Sequence, residues 1–335
     1  MNARFPLPKL PVMARQRVVQ VMNIREILGF SLISKKCRKL TISSKIEGAA
    51  LSVSIGNEIN ISFWTTRGSI FLTFYVEPRL DLITETDGRK TLKPPKSVFV
   101  YANELDQDLS KWENKKDFGM KKWLEHIHTV FDYHMISWFS FDENAFSFDI
   151  DYVKETFGNT EELLVENSGN YEYNESILKK YLPTESLSIE SNTFLDSKIP
   201  PRILIQNFEN LVIKYQHDGL ECVSLDDLLM INSKYIDITT YQTPLKMLNK
   251  FVKLWKKGAN PRMEYFEIKY HNGSETDVDE ILDGIKCNEI LQERPPLDVS
   301  VNKEFDIYRI DGMKATIRFK CSDSVEGMIQ LSLFL

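Results

Sequence analysis

The sequence predicts an α/β chain: three short helices, then a β-meander, then alternating strands and helices with mainly parallel strands. Three observations carry this expectation. Proline-led apolar turns with helix caps fill residues 5–40, period-two alternation begins near residue 46, and beyond residue 119 short apolar strands recur between amphipathic stretches. With 335 residues, 42 % hydrophobic and 27 % charged, the chain can bury a sizeable core.

The head opens with three prolines within the seven residues Phe5 to Pro11, so it starts extended. Met13, Val18, Val19 and Met22 then form an apolar stripe. Asn23 stands where a helix N-cap belongs, with Glu26 three residues on as its capping-box partner. Ile24, Ile27, Leu28, Phe30, Leu32 and Ile33 follow, and Ser34 caps a third, basic turn from Lys35 to Leu40. Helices this short cannot hide so much apolar surface among themselves. The surplus must face the rest of the chain or a partner.

The order Leu10-Pro11, Val18-Val19, Met22, Ile27-Leu28, Leu32-Ile33, Ser34 and a basic turn ending at Leu40 resembles an F-box. Phe5-Pro-Leu-x-x-Leu-Pro together with Phe30-Ser-Leu-Ile-Ser-Lys-Lys is most similar to the nematode branch of that family. The resemblance implies that Leu10, Pro11, Val18, Val19, Met22, Ile27 and Leu28 insert into an acidic Skp-type adaptor, and through it join a cullin-RING ligase. The aromatic residue usual near the end of the motif is replaced by Cys37.

Charge is unevenly spread. Residues 1–45 hold ten basic side chains against Glu26 alone, leaving 32 basic and 47 acidic residues elsewhere, a +9 head on a −15 body. Such a head steers an acidic partner, and the acidic body argues against binding to nucleic acid.

Residues 46–101 alternate as a meander: Leu51, Val53 and Ile55, then Ile59, Ile61 and Phe63, with Gly56-Asn57 as the hairpin turn. Ser69 to Val76 and Ser97 to Tyr101 supply further strands, and Leu80 to Pro95 reads as a connector. A helix fits Met120 to Phe131, with Trp123, Ile127, Val130 and Phe131 on one face. Strands are then expected at Ser137–Phe141, Glu162–Val165, Ser186–Ile189, Asn210–Ile213, Tyr235–Ile238 and Tyr265–Ile268. Their spacing of roughly 24 to 30 residues is that of leucine-rich-repeat-like units, and it predicts a strand–helix solenoid. Ser224 with Asp227 caps one helix, and Thr243-Pro244 starts another carrying Leu245, Leu248, Val252 and Trp255 before Gly258. An ordinary α/β sheet is the competing architecture. A hairpin from Phe305 to Lys320, turning at Asp311-Gly312, closes the pattern.

The phrases Lys198-Ile-Pro-Pro-Arg-Ile-Leu-Ile-Gln-Asn-Phe, Ser224-Leu-Asp-Asp-Leu-Leu-Met-Ile-Asn-Ser and Leu248 to Tyr265 resemble the type-2 F-box-associated domain of nematodes. That resemblance implies a protein-recognition module without catalytic residues. The expected organisation is therefore 1–45 F-box, 46–118 meander and connector, and 119–335 F-box-associated recognition domain. The function it implies is a non-catalytic, cofactor-free substrate receptor of a ubiquitin ligase with an unknown protein target. A scaffold that holds the adaptor without target turnover is the alternative.

Other features carry bland readings. His126 and His128 lie about 200° apart on a helix, so they do not share a metal. Asp226-Asp227 suits a helix start, Trp255 suits the core, and Lys253, Lys256, Lys257 and Arg262 suit a helix C-terminus. No phosphate-binding glycine motif or nucleophile elbow occurs. Cys37, Cys222, Cys287 and Cys321 are far apart, as in an intracellular protein with reduced thiols, in the cytoplasm and/or nucleus. No apolar run suits a signal peptide or a membrane span, so the sequons at Asn60, Asn174 and Asn272 carry no expectation of glycosylation.

Overall fold

The computed structural model describes residues 10–74, 94–102, 110–114, 118–215, 223–241, 245–271, 273–274, 276–290, 301–321 and 329–335. The expected start of the head at Phe5 to Lys9, most of the connector and the Thr243-Pro244 cap lie outside them. The fold is α/β with mixed strand pairing, and the chain divides into two compact units. The first comprises Met1–Leu163 with Ser168–Leu182, and the second Leu164–Asn167 with Pro183–Leu335. Residues 1–45 and 46–118 fall within the first unit, whereas 119–335 contributes to both.

In the first unit α1 (Val12–Val21), α2 (Ile24–Ile33) and α3 (Lys35–Ile42) precede the strands. The Asn23–Glu26 capping box forms with both bonds in place, at 2.8 and 2.9 Å, and Ser34 accepts from the Cys37 amide at 3.2 Å. β1 (Gly48–Ile55), β2 (Ile59–Thr65), β3 (Gly68–Phe74), β4 (Ser97–Ala102) and β5 (Ser110–Glu113) pair antiparallel in sequence order. The β1–β2 register sets Leu51 opposite Phe63 and Val53 opposite Ile61, so alternate side chains share the buried face. β6 (Trp138–Phe141) runs parallel to β1 on its other edge, which requires the crossover through α4 (Met120–Phe131).

α4 lays Trp123, Ile127, Val130 and Phe131 into the core, with Phe131 4.8 Å from Phe63 and Trp123 5.5 Å from Phe74. Gly48 is needed for close approach: a Cβ there would lie 2.6 Å from Tyr133 Cβ and 2.7 Å from Phe63 Cζ. α5 (Ile150–Phe157) and α6 (Tyr171–Tyr181) complete this unit, where Phe139, Phe141 and Tyr181 form an aromatic cluster. β7 (Glu162–Val165) contains the division between the units.

The second unit is built on a parallel ladder of β8 (Ser186–Glu190), β9 (Asn210–Lys214), β10 (Tyr235–Thr240) and β11 (Tyr265–Tyr270). Its register aligns Leu187, Leu211, Ile236 and Phe266 in one buried row, and Ile189, Ile213, Ile238 and Ile268 in the next. Between the strands lie α7 (Pro201–Leu204), α8 (Leu225–Met230) and α9 (Leu245–Lys256), with α10 (Asp277–Leu282) after β11. α8 carries the Ser224–Asp227 capping box, and α9 buries Leu248, Val252 and Trp255 before Gly258, whose φ of +104° suits glycine.

Buried asparagines join successive helical segments. Asn260 donates to the Leu228 and Ile231 carbonyls at 2.8 and 2.9 Å, and Asn249 to those of Ile281 and Asp283, both at 2.8 Å. These carbonyls end α8 and α10, where no intrahelical donor remains.

The pairing is mixed rather than mainly parallel. β12 (Asn288–Glu289), β13 (Val301–Tyr308), β14 (Lys314–Cys321) and β15 (Ile329–Phe334) are antiparallel, and β15 sits between β14 and β11. Short turns such as Asp311-Gly312 reverse the chain too sharply for a parallel return.

Candidate partner-binding surface

The N-terminal helices sit on the first unit through α2, which packs on β3, β4 and α4, and through α3, which packs on α4. Ile24, Ile27, Leu28 and Ser31 form the buried face of α2. The Ser31 hydroxyl donates to the Leu28 carbonyl at 2.7 Å and meets His126 Nε2 at 2.7 Å. With the one hydroxyl proton already used, the imidazole N–H is the donor. From the β2–β3 turn, Arg67 donates to the Gln20 and Met22 carbonyls at 2.5 and 2.8 Å, serving oxygens left unpaired at the end of α1.

This packing sorts the seven residues expected to meet an adaptor. Val19, Ile27 and Leu28 are 0 % exposed, so as placed they belong to this chain's own core. The amphipathic surplus is thus partly absorbed by the meander and α4, a possibility the stripe alone could not resolve. Leu10, Val18 and Met22 are half-buried and Pro11 is exposed. On α1 and α2, Val12, Met13, Val21 and Ile33 are 57, 74, 83 and 68 % exposed. Val12, Val21 and Ile33 lie at helix ends, where an apolar stripe gives no face, so sequence reasoning did not assign them to a site. Arg17, Lys35, Lys36 and Lys39 of the same three helices are exposed as well.

The second unit carries a polar network on the strand positions that alternate with its buried rows. Glu267 accepts from Gln330 at 2.6 Å, Ser332 at 3.2 Å and the Tyr265 hydroxyl, and pairs with Lys269 at 2.5 Å. Lys269 also reaches Asp237 at 3.0 Å. Burial pushes the Glu267 carboxyl up, but the hydrogen bonds from Lys269 and Tyr265 outweigh it and hold the group below its usual range. A carboxyl lowered by folding contributes stability above its unfolded pKa, and that contribution is lost as pH falls through the folded value. Glu267→Gln is therefore expected to be least stable relative to wild type near neutrality, with the gap closing in acid. Thermal melts from pH 7 to pH 3 measure this, and parallel curves would remove Glu267 from the acid limb.

The histidines, the tryptophan and the basic cluster take structural places. His126 is buried on Ser31, while the His128 and His134 rings lie 5.6 Å apart and burial lowers the His128 pKa. Among the described residues no group of three or more His, Cys, Asp or Glu is arranged to hold a metal ion. Trp255 is 0 % exposed. Lys256 donates to the Lys286 carbonyl at 2.7 Å and Arg262 approaches Glu209 at 4.0 Å. Among the described residues no helix is long and apolar enough to cross a membrane.

These features define an α/β protein with mixed strand pairing, an N-terminal helical cluster and a parallel ladder of strands joined by helices. Residues 199–268 match the family described as F-box associated. The chain is 25 % identical to the F-box associated domain-containing protein sdz-33 of Caenorhabditis elegans over 79 % of this chain and 78 % of that protein. It is 23 % identical to the Skn-1 dependent zygotic transcript 15 protein of the same organism, over 93 % of each. A match to Protein kri1 of Schizosaccharomyces pombe, 25 % identical over 45 % of this chain, spans 26 % of that protein's length. No solved structure matches. The matched segment runs from the residue before Pro200-Pro201 to β11, across the buried rows of β9 to β11.

Proposed function

We propose that the chain is a non-catalytic substrate receptor of a Skp-adaptor, cullin and F-box ubiquitin ligase. Residues 1–45 act as the F-box and residues 119–335 as the recognition domain for a protein target, built as leucine-rich-repeat-like strand–helix units. The observation that carries this reading is the coexistence, in one chain, of the F-box-associated segment 199–268 and a basic helical cluster with uncovered apolar side chains. The receptor contributes position: it raises the concentration of target lysines near the charged enzyme.

Adaptor contact is assigned to Leu10, Pro11, Val18 and Met22, extended by Val12, Met13 and Val21. Leu10→Ala with Pro11→Ala is expected to weaken adaptor binding by about 1–3 kcal/mol. Co-purification of this double variant at wild-type yield would show the anchors to be misassigned. Target turnover separates the receptor from a scaffold: on proteasome inhibition a receptor's bound target accumulates, whereas a scaffold's partner stays level.

A further inference from the structure

The first unit's sheet has two unlike faces. α4 covers the face of Phe63 and Phe74. On the opposite face the register sets Trp138, Ser52, Ser62, Phe71 and Tyr101 in one row across β6, β1, β2, β3 and β4. Trp64 bridges the row, its ring 5.8 Å from Trp138 and 6.0 Å from Phe71, while Phe71 stacks on Tyr101 at 4.8 Å. Trp138 is 42 % exposed, and Trp64 and Tyr101 are half-buried. In a chain that is 27 % charged, no position on this face of β1 to β4 and β6 carries a charge. Charge begins at its borders. Lys111 of β5 lies 5.7 Å over Phe99, and the Asp142 carboxylate accepts from Ser54 and Ser140.

We propose that this face holds an uncharged, apolar segment of a protein partner. A sheet face left to water carries polar and charged side chains, whereas a contact surface is depleted of charge and enriched in aromatic residues. Rings that supply area beside small hydroxyls that supply adaptable hydrogen bonds are the composition of a protein-binding surface. Ring geometry favours the same occupant. Trp64 stands at 81° to Trp138 and 84° to Phe71, so the surface is ridged and receives side chains rather than offering coplanar rings to a sugar or a base. Between its borders it also has no cation for a phosphate. The inference rests on the receptor reading only in making this partner the target, and it extends recognition to strands within 46–118.

Selection of a phage-displayed random-peptide library on the full chain tests this, followed by anisotropy titration of the enriched peptide. Enriched sequences are expected to be uncharged and rich in aromatic and aliphatic residues. Trp138→Ser should weaken the peptide about tenfold without shifting the melting temperature, and Ser62→Lys, which places a charge in the row, by at least as much. Tyr235→Ser, a similarly exposed aromatic of the second unit, should leave affinity unchanged. Enrichment of charged peptides, no enrichment, or a peptide indifferent to Trp138→Ser and Ser62→Lys would overturn the face. So would an oligosaccharide array or self-association, by sedimentation, that alone responds to Trp138→Ser. Adaptor binding measured on the same proteins separates the two readings: a chain that selects such peptides but ignores the adaptor keeps the face and loses the receptor.

Discussion

Trp255→Ala is expected to lower the unfolding free energy by about 3 kcal/mol, the lower end for a buried tryptophan. The Trp255 side chain is 0 % exposed on α9, and Arg309 lies 5.7 Å over its ring. Full burial argues for a large cost. Among the described residues, however, the indole N–H meets no acceptor, and that desolvation offsets part of the gain. Urea denaturation measures the change through the midpoint, and a loss under about 1 kcal/mol would mean that the ring is not locked in the core. Because a domain's whole stability is about 5–15 kcal/mol, this one truncation threatens the repeat ladder.

Leu28→Ala is expected to lower the unfolding free energy by about 2–5 kcal/mol while leaving the folded protein's affinity for an adaptor unchanged. The F-box resemblance implies that Leu28 meets the adaptor, but it is 0 % exposed on α2, which packs against the first unit's own strands and α4. Exposed Val21 should behave in the opposite way: Val21→Ala should shift stability within about 0.5 kcal/mol and weaken adaptor binding. Chemical denaturation and calorimetric titration on the same two variants separate the roles. A stable Leu28→Ala protein that has lost adaptor affinity would reverse the assignment.

Local chemistry was legible in the sequence where it depended on neighbours in the chain. The Asn23–Glu26 and Ser224–Asp227 capping boxes, α4 at Met120–Phe131 and the strands from β6 to β11 follow from caps and periodicity that a few residues suffice to define. Long-range pairing was legible only in part: the antiparallel meander and the parallel run β8 to β11 were expected, but other neighbours were not. β5 is four residues long, and β15 takes a place between β14 and β11 that no local pattern specifies. Each strand's alternation fixes which side chains face inward, but not which neighbour it meets.

The same limit governed the N-terminal surface. The apolar stripe identified a helical cluster with more surface than it could hide, but dividing that surface between self and partner depended on distant residues. Arg67 lies 45 residues from the Met22 carbonyl it serves, and His126 lies 95 residues from Ser31. Neither carries a motif. A histidine and an arginine in ordinary sequence surroundings decide which face of the helices is spent on this chain.

The most direct measurement is amide hydrogen exchange of the full chain with and without a purified Skp-type adaptor. Added protection is expected over residues 10–22, while the inner face of α2 is already protected in the free chain and changes little. An adaptor that binds yet leaves 10–22 exchanging at the free rate, or that shields only strands of the second unit, would contradict a docking face at the front of the chain.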